Sequence, residues 1–350
     1  MSTVEESTGQ AAGNGLDERA LPQRSLLRRL SSTTAFYIFA VDIVLIAVFT
    51  LASSNHVFWS LQNAQALMGN GAEALLLASG VTMMLAAGVF DLSLGANLIL
   101  ASVVGALLLA HLTNSRTVHA PAWAILLTLA VCLLIGAFVG LVNGLLITFV
   151  RINSLIATLG MLGICTGFAY VIAHGSDITG VATNIQSGFG LSTILKIPYP
   201  ALVAVVILLA LWLVLRYTRY GARTLAIGSN LTSAERAGLK VRTHLISLTM
   251  IGGALAGLAG FVDVSRFDTT NTSGHALDAL AALTAAVVGG TALQGGRATM
   301  FGTLWGAVLA YVILDGLVVV GVSSFYQEIA TGFVLWIAVG IDSARYRRRE

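Results

Sequence analysis

Charged residues are scarce in this 350-residue chain: Asp, Glu, Lys and Arg make up 10% of it, whereas 57% of the residues are hydrophobic. A soluble domain carries about a quarter charged residues, so this chain has too little polar surface to cover a water-soluble globule. The composition therefore excludes an ordinary soluble protein and predicts a polytopic membrane protein. The net charge of +3 does not indicate nucleic-acid binding, because the placement of the charges matters more than their sum.

Cysteine is almost absent, and the sequence motifs of several enzyme classes are missing. Cys132 and Cys165 lie inside apolar segments, where we interpret them as small core residues rather than a disulfide or a metal pair. His111, His119 and His174 lack the spacing of metal ligands, so no metal site is expected. There is no Walker A loop and no His-Glu-x-x-His motif. We therefore expect no enzyme activity and no cofactor on this chain. If ATP drives this protein, another polypeptide hydrolyses it.

Long apolar segments make up most of the sequence. A membrane-spanning helix needs about 20 apolar residues. We predict an all-α fold with about ten such helices, at residues 35–53, 63–85, 92–111, 121–149, 155–173, 199–216, 244–263, 277–293, 300–319 and 325–342. The eighth segment gives the weakest prediction, because it is short and rich in Ala and Gly.

The positions of Lys and Arg orient these segments. If all ten span the membrane and the N-terminus is cytoplasmic, sixteen of the nineteen Lys and Arg residues lie on the cytoplasmic side. Only Arg116, Lys196 and Arg266 then lie outside. Omitting one span would reverse every later loop and destroy this asymmetry. Both termini are therefore predicted to be cytoplasmic.

The polar ends of the chain flank one transmembrane domain. Residues 1–34 are expected to form a disordered cytoplasmic tail with a basic end near the membrane surface. Residues 343–350 form a basic cytoplasmic tail, and 35–342 form the transmembrane domain. The largest cytoplasmic loop of that domain is 217–243.

Within this loop, residues 229–243 (SNLTSAERAGLKVRT) form a short charged segment. Thr232 and Glu235 match a capping box, in which each side chain bonds the other residue's amide, and Gly238 suits a left-handed helix end. We expect a helix of one to two turns with a small apolar face formed by Leu231, Ala234, Ala237 and Leu239. Because isolated helices this short are marginal in water, the segment is either a docking site for a partner protein or an ordinary surface turn.

The stretch AIGSNLTSAERAGLKV, residues 226–241, resembles the cytoplasmic coupling loop of the ribose-type permease subunits of bacterial ABC sugar importers. Ser233 stands where an Ala is usual and Glu235 where an Arg is frequent. The resemblance implies that the loop couples the permease to an ATPase through Asn230, Thr232, Ser233, Ala234, Glu235, Arg236, Ala237 and Gly238.

Three further stretches resemble the same family, in the family's order. They are GVFDLSLGANL (88–98), NSLIATLGMLGICTGFA (153–169) and ALDALAALTAAVVGGTALQGGRATMFGTLWGA (276–307). Val89, Phe90, Ser154 and Ala298 depart from the family pattern. On these stretches, which are distributed through 60–342, the chain is identified as a member of the branched-chain amino acid and monosaccharide permeases, with a type II-like ABC importer fold.

The resemblance implies a transport subunit in the cytoplasmic membrane that moves a monosaccharide or a related polyol. It also implies partners: ABC ATPase subunits, a second permease subunit as a homo- or heterodimer, and an extracytoplasmic sugar-binding protein that contacts the outer loops near 174–198 and 264–276. Membrane lipid surrounds the chain, and no nucleic acid is expected.

Polar residues within or near the apolar segments are candidates for the translocation path: Glu73, Asp91, Ser93, Asn97, Asn143, Thr158 and Asp315. Each can line a hydrophilic path, form a hydrogen bond to a neighbouring helix or lie at an interface. Asp91 can also be the N-cap of the helix that follows it.

Two glycine pairs and several carboxylates complete the list of candidates. Gly289, Gly290, Gly295 and Gly296 are expected to form turns or a hinge in a broken helix. Asp42, Glu73 and Asp315 leave open an alternative function, a secondary proton-coupled carrier that uses them as a relay.

Overall fold

The computed structural model describes residues 34–113, 119–179, 181–267 and 278–323, together with residues 269, 270, 272, 275, 326, 329, 332, 333 and 336. Apart from Thr34, the predicted tails at 1–34 and 343–350 lie outside the described residues, as does most of the predicted last span at 325–342. Within the described residues the fold is α-helical except for one small hairpin.

The helices of six residues or more in the described ranges are α1 (Thr34–Ala52), α2 (Leu61–Ala86), α3 (Leu94–Leu112), α4 (Ala122–Leu145), α5 (Ser154–Ile172), α6 (Tyr199–Tyr217), α7 (Arg219–Ser229), α8 (Leu231–Arg236), α9 (Val241–Phe267), α10 (Asp278–Val288) and α11 (Met300–Val319). A 3₁₀ segment, Ser54–Trp59, joins α1 to α2, and a π-helical turn, Leu146–Val150, extends α4. The strands β1 (Thr193–Ile194) and β2 (Ile197–Pro198) pair antiparallel just before α6.

Seven of these helices are long and apolar enough to cross a membrane: α1, α3, α4, α5, α6, α9 and α11. Helix α2 has 26 residues, which corresponds to about 39 Å at 1.5 Å per residue. It is less apolar because it carries polar side chains such as Glu73, Ser79 and Thr82, all of which the surrounding helices bury. The all-α polytopic membrane fold predicted from composition is thus confirmed.

The helix in the eighth predicted span, 277–293, is shorter than predicted. Helix α10 has only 11 residues, about 16 Å, and the hydrocarbon core is about 30 Å thick. The chain leaves the helix after Val288 because Gly290 takes a left-handed backbone conformation, φ +93°. It then makes a turn through Gly295 and Gly296, also left-handed, before α11 begins at Met300.

The packing between α4 and α9 is a direct backbone contact along a row of glycines. A Cβ added to Gly136 or Gly140 of α4 would collide with the backbone of α9 at Gly253, Gly257 or Thr249. In a bilayer no hydrophobic effect drives helices together, so close backbone approach through small residues supplies the packing energy. This row explains part of the chain's high glycine content.

Both cysteines are free and buried, as predicted from their apolar surroundings. The Cys132 thiol donates to the carbonyl of Ala101 on α3 at 3.3 Å. It also lies against Gly105, where a Cβ would be 2.6 Å from the sulfur.

Candidate coupling surface and polar network

Helix α8 is capped at both ends, but its first cap differs from the predicted capping box. The Asn230 side chain accepts from the amide of Ser233 at 2.8 Å, so the N-cap lies two residues before the predicted cap, Thr232. Asn is preferred over Thr as an N-cap, which explains why Asn230 takes this position. Thr232 and Glu235 are both exposed.

The C-terminal end of α8 agrees with the prediction. Gly238 has φ +79°, and its amide donates to Glu235 while the amide of Leu239 donates to Ala234. This pair of bonds is a Schellman motif, which satisfies the last carbonyls of the helix.

The predicted apolar face of α8 is divided between protein and solvent. Ala234 is buried and Leu239 half-buried in the main core, whereas Leu231 and Ala237 are exposed. The helix is therefore supported partly by its own chain. Its own chain, through α7 and α9, supports one side of it, and Thr232, Ser233, Glu235 and Arg236 lie exposed on the other.

Helix α7 connects α8 to the bundle. It was not predicted from the sequence. Its Thr218 cap accepts from the amide of Gly221 at 3.2 Å. The Tyr220 hydroxyl and the Ser247 hydroxyl of α9 lie 2.8 Å apart, and Thr224 Oγ1 lies 2.8 Å from Nε2 of His244. The only sequence signal for α7 was a pattern of small and apolar residues at helical spacing among arginines.

A junction of three backbone segments lies directly before α8. The amide of Gly296 donates to the carbonyl of Ala86 at the end of α2, at 3.0 Å. A Cβ on Gly228 would collide with both of these groups, and a Cβ on Gly295 would lie 2.8 Å from the Gly228 oxygen. The glycine turn after α10 thus touches Gly228 of α7, whereas Gly289 packs against α11 at Gly302.

Three of the predicted path residues meet between α2 and α4. The backbone amide and the hydroxyl of Ser93 donate to Asp91 Oδ1 at 2.8 and 2.6 Å. The side-chain amide nitrogen of Asn143 donates to Asp91 Oδ2 at 3.2 Å and to Ser93 Oγ at 2.9 Å. All three side chains are buried. Asp91 does not cap α3 as predicted, because Ser93 occupies the N-cap position without a capping side-chain bond. The carboxylate is instead held by side chains, as a buried charge in a membrane protein requires.

The side chains of other path candidates bond to groups outside this cluster. The Asn97 amide nitrogen donates to the carbonyl of Gly136 at 3.2 Å, and the Thr158 hydroxyl donates to Ser154 within its own helix. Asp315 accepts from Asn63 at 2.7 Å. Asp42, on α1, is buried, and neither carboxylate oxygen has a hydrogen-bond partner among the described residues.

Glu73 belongs to a second polar cluster, toward the end of the bundle opposite α8. Arg266 Nη1 lies 3.1 Å from Glu73 Oε1, and Nη2 donates to Asn70 Oδ1 at 2.6 Å. Arg266 was predicted to lie in an outer loop; the structure instead places it, buried, in the last turn of α9. The signal that could have revealed this is Asp263, three residues earlier and therefore on the same helix face.

Two further ion pairs, both made by His275, adjoin the first. His275 Nε2 lies 3.3 Å from Asp263 Oδ1, and Nδ1 lies 2.7 Å from Asp278 Oδ2. Burial lowers the pKa of His275, but the hydrogen bonds to the two carboxylates outweigh it and raise the pKa from 6.5 to about 11. The imidazole is therefore charged at neutral pH and donates from both nitrogens.

Glu73, Asp263 and His275 also bring three potential metal-ligand atoms within 4.8 Å of one another. A charged imidazole has no lone pair to offer a metal, and Arg266 already neutralises Glu73. The geometry therefore favours three ion pairs linking α2, α9 and the start of α10.

The comparisons with known proteins agree with this architecture. Residues 63–339 match the family described as branched-chain amino acid transport system, permease component. The chain belongs to this permease family. It is a membrane-spanning transport subunit and not an enzyme.

The permease is similar over most of its length to curated sugar permeases. It is 32% identical over 320 residues to the galactose/methyl galactoside import permease protein MglC of Haemophilus influenzae, covering 88% of this chain and 94% of that one. It is 32% identical over 309 residues to the ribose import permease protein RbsC of Escherichia coli K12, covering 87% of this chain and 92% of that one. It is 36% identical over 269 residues to the ribose import permease protein RbsC of Bacillus subtilis, covering 76% of this chain and 80% of that one. No solved structure matches. These relatives support the importer interpretation and not the proton-coupled carrier.

Proposed function

We propose that this permease is the membrane subunit of an ATP-driven importer that carries a monosaccharide or a related polyol across the cytoplasmic membrane. The cargo class follows from the similarity to the ribose and galactose permeases. The observation that carries the coupling role is α8, a doubly capped helix with one side seated on α7 and α9 and the other exposed.

The coupling mechanism starts at the exposed side of α8. Two ABC ATPase subunits, which hold ATP and Mg²⁺, each bind one copy of this helix in a dimer of permease subunits. Their closure pushes α8, and the junction at Gly228, Gly296 and Ala86 passes the displacement on, since backbone lies directly against backbone there. Helix α2 and the α10–α11 turn then move together, which rocks the bundle between outward- and inward-open states.

The topology completes the proposal. Ten spans with both termini in the cytoplasm would place α8 inside and the Glu73–Arg266 cluster toward the outside, where an extracytoplasmic sugar-binding protein delivers cargo. The cargo path is lined by the polar candidates on several helices, and Gly290, Gly295 and Gly296 form the turn that hinges α10 against α11.

One pair of variants at a single position tests the coupling role. Glu235→Pro breaks α8, because proline removes an amide donor and clashes within the helix, whereas Glu235→Ala keeps the helix. We expect Glu235→Pro to abolish sugar-stimulated ATP hydrolysis and uptake in proteoliposomes while membrane insertion is retained, and Glu235→Ala to remain active. Undiminished coupled uptake by the proline variant would reject the docking role of α8.

A further inference from the structure

The connection between α5 and α6 ends in a hairpin whose tip is apolar. Leu195 and Lys196 join β1 to β2, and both have left-handed backbone conformations, φ +50° and +69°. Two-residue hairpin turns of this kind favour Asn-Gly or Asp-Gly, and a bulky apolar residue at such a position is strained. The turn itself would be better served by another residue, so a leucine here indicates that its side chain has a separate role.

The side chains around the tip are exposed although they are apolar. Leu195 is 90% exposed, the highest value among the large apolar residues in the described part of the chain. Leu191, Ile194 and Ile197 are exposed as well. Contiguous apolar surface of this kind has an unfavourable free energy in water and indicates an apolar partner.

The position of the hairpin limits what that partner can be. Helix α6 begins at Tyr199, next to β2, and its 19 residues rise about 28 Å, close to the thickness of the hydrocarbon core. The residues directly before Tyr199 therefore lie at one membrane boundary. The Gln65 side chain donates to the Lys196 carbonyl at 3.1 Å, which ties the tip to the first turns of α2. The exposed Trp59, just before α2, is of the residue type that favours this level of a bilayer.

The charge of the hairpin matches the same partner. Lys196 is the only charged residue between 178 and 198, and it is exposed. A lysine can lay its apolar stem along hydrocarbon while its ammonium group reaches phosphate, and anionic headgroups attract it.

We propose that the hairpin Thr193–Pro198 is an interfacial lipid anchor, with Ile194 and Leu195 inserted at the boundary between headgroups and acyl chains and Lys196 bound to anionic headgroups. The anchor would hold the outer ends of α2 and α6 at a fixed depth. This inference requires only that α6 spans the membrane and is independent of the cargo.

Site-directed spin labelling measures the depth directly. Both native cysteines are buried, so unsubstituted protein serves as the labelling blank and Leu195→Cys carries the label. The matched control is Ser176→Cys, exposed in the loop after α5 at the same end of the bundle. The full transporter, reconstituted in vesicles of phosphatidylcholine and phosphatidylglycerol, is measured by power saturation with oxygen and with a water-soluble nickel complex.

We expect the ratio of oxygen to nickel accessibility to be at least fivefold higher at position 195 than at 176. Adding Lys196→Glu should lower the ratio at 195 at least twofold in anionic vesicles and leave it unchanged in pure phosphatidylcholine. Equal ratios at 195 and 176 would overturn the proposal. The label at 195 could instead become shielded from both reagents only after a sugar-binding protein is added. That result would also overturn the proposal and would show that the tip is a protein-docking site. An unchanged ratio in the Lys196→Glu variant would refute the headgroup contact.

Discussion

The amide of Gly296 donates to the carbonyl of Ala86 at 3.0 Å, directly against the Cα of Gly228. This contact joins the end of α2, the turn after α10 and the residue two positions before the cap of α8. Because no side chain separates the three backbone segments, one segment cannot move toward another without displacing it. The contact ties α7, which directly precedes α8, to the bundle.

Substitution at this junction should uncouple the transporter. A methyl group in Gly228→Ala would collide with the Ala86 carbonyl and the Gly296 amide, so the end of α7 must move. We expect coupled uptake to fall at least tenfold with insertion retained. Gly163→Ala on α5, where no atom lies within 4 Å of the added Cβ, is the control and should be active. Full activity of Gly228→Ala would show that the junction tolerates displacement.

The N-cap of α8 can be tested against the capping box that the sequence indicated. Asn230→Ala removes the acceptor for the Ser233 amide and should destabilise the local helix by about 1 kcal/mol. Hydrogen exchange in 231–236 should then be roughly fivefold faster. Thr232→Ala should leave the exchange rate unchanged. Faster exchange in Thr232→Ala than in Asn230→Ala would instead support the capping box of Thr232 and Glu235.

The Glu73–Arg266 pair should obey the energetics of a buried ion pair. Arg266→Gln leaves the Glu73 carboxylate buried without its partner, a change that typically costs about 3–5 kcal/mol. The double variant Glu73→Gln/Arg266→Gln should be more stable than Arg266→Gln alone, because both charges are removed. A double-mutant cycle of unfolding in detergent measures the coupling. Strictly additive effects of the two substitutions would exclude the pair.

His275 should make stability fall as pH rises. Its folded-state pKa of about 11 lies above the ordinary value of 6.5, so its contribution is complete below pH 6.5 and is lost between pH 6.5 and 11. The slope is at most about 1.4 kcal/mol per pH unit. Melting temperatures of wild type should therefore decline over pH 7–10 more steeply than those of His275→Gln. The exposed His119 provides the control: His119→Gln should retain the wild-type slope, and identical slopes in all three proteins would contradict the prediction.

The sequence alone determined the class of the protein and most of its elements. Low charge and long apolar segments can be satisfied only in a bilayer. Eight predicted spans appear as helices of nearly the predicted bounds, and seven of these helices are long and apolar enough to cross a membrane. Gly238 as a helix end and both cysteines as core residues also followed from local chemistry. These features depend on neighbours within one or two turns, so the sequence pattern carries them.

Only the tertiary structure decided which polar groups meet. Asp91 bonds to Asn143, 52 residues later, and Glu73 bonds to Arg266, 193 residues later, because helix packing brings these side chains together. The shortness of α10 and the choice of Asn230 over Thr232 as cap likewise depend on the glycine turn and on the seating of α7 and α8 against α9. A side chain's partner across a bundle is set by which helix faces pack, and no local pattern records that choice.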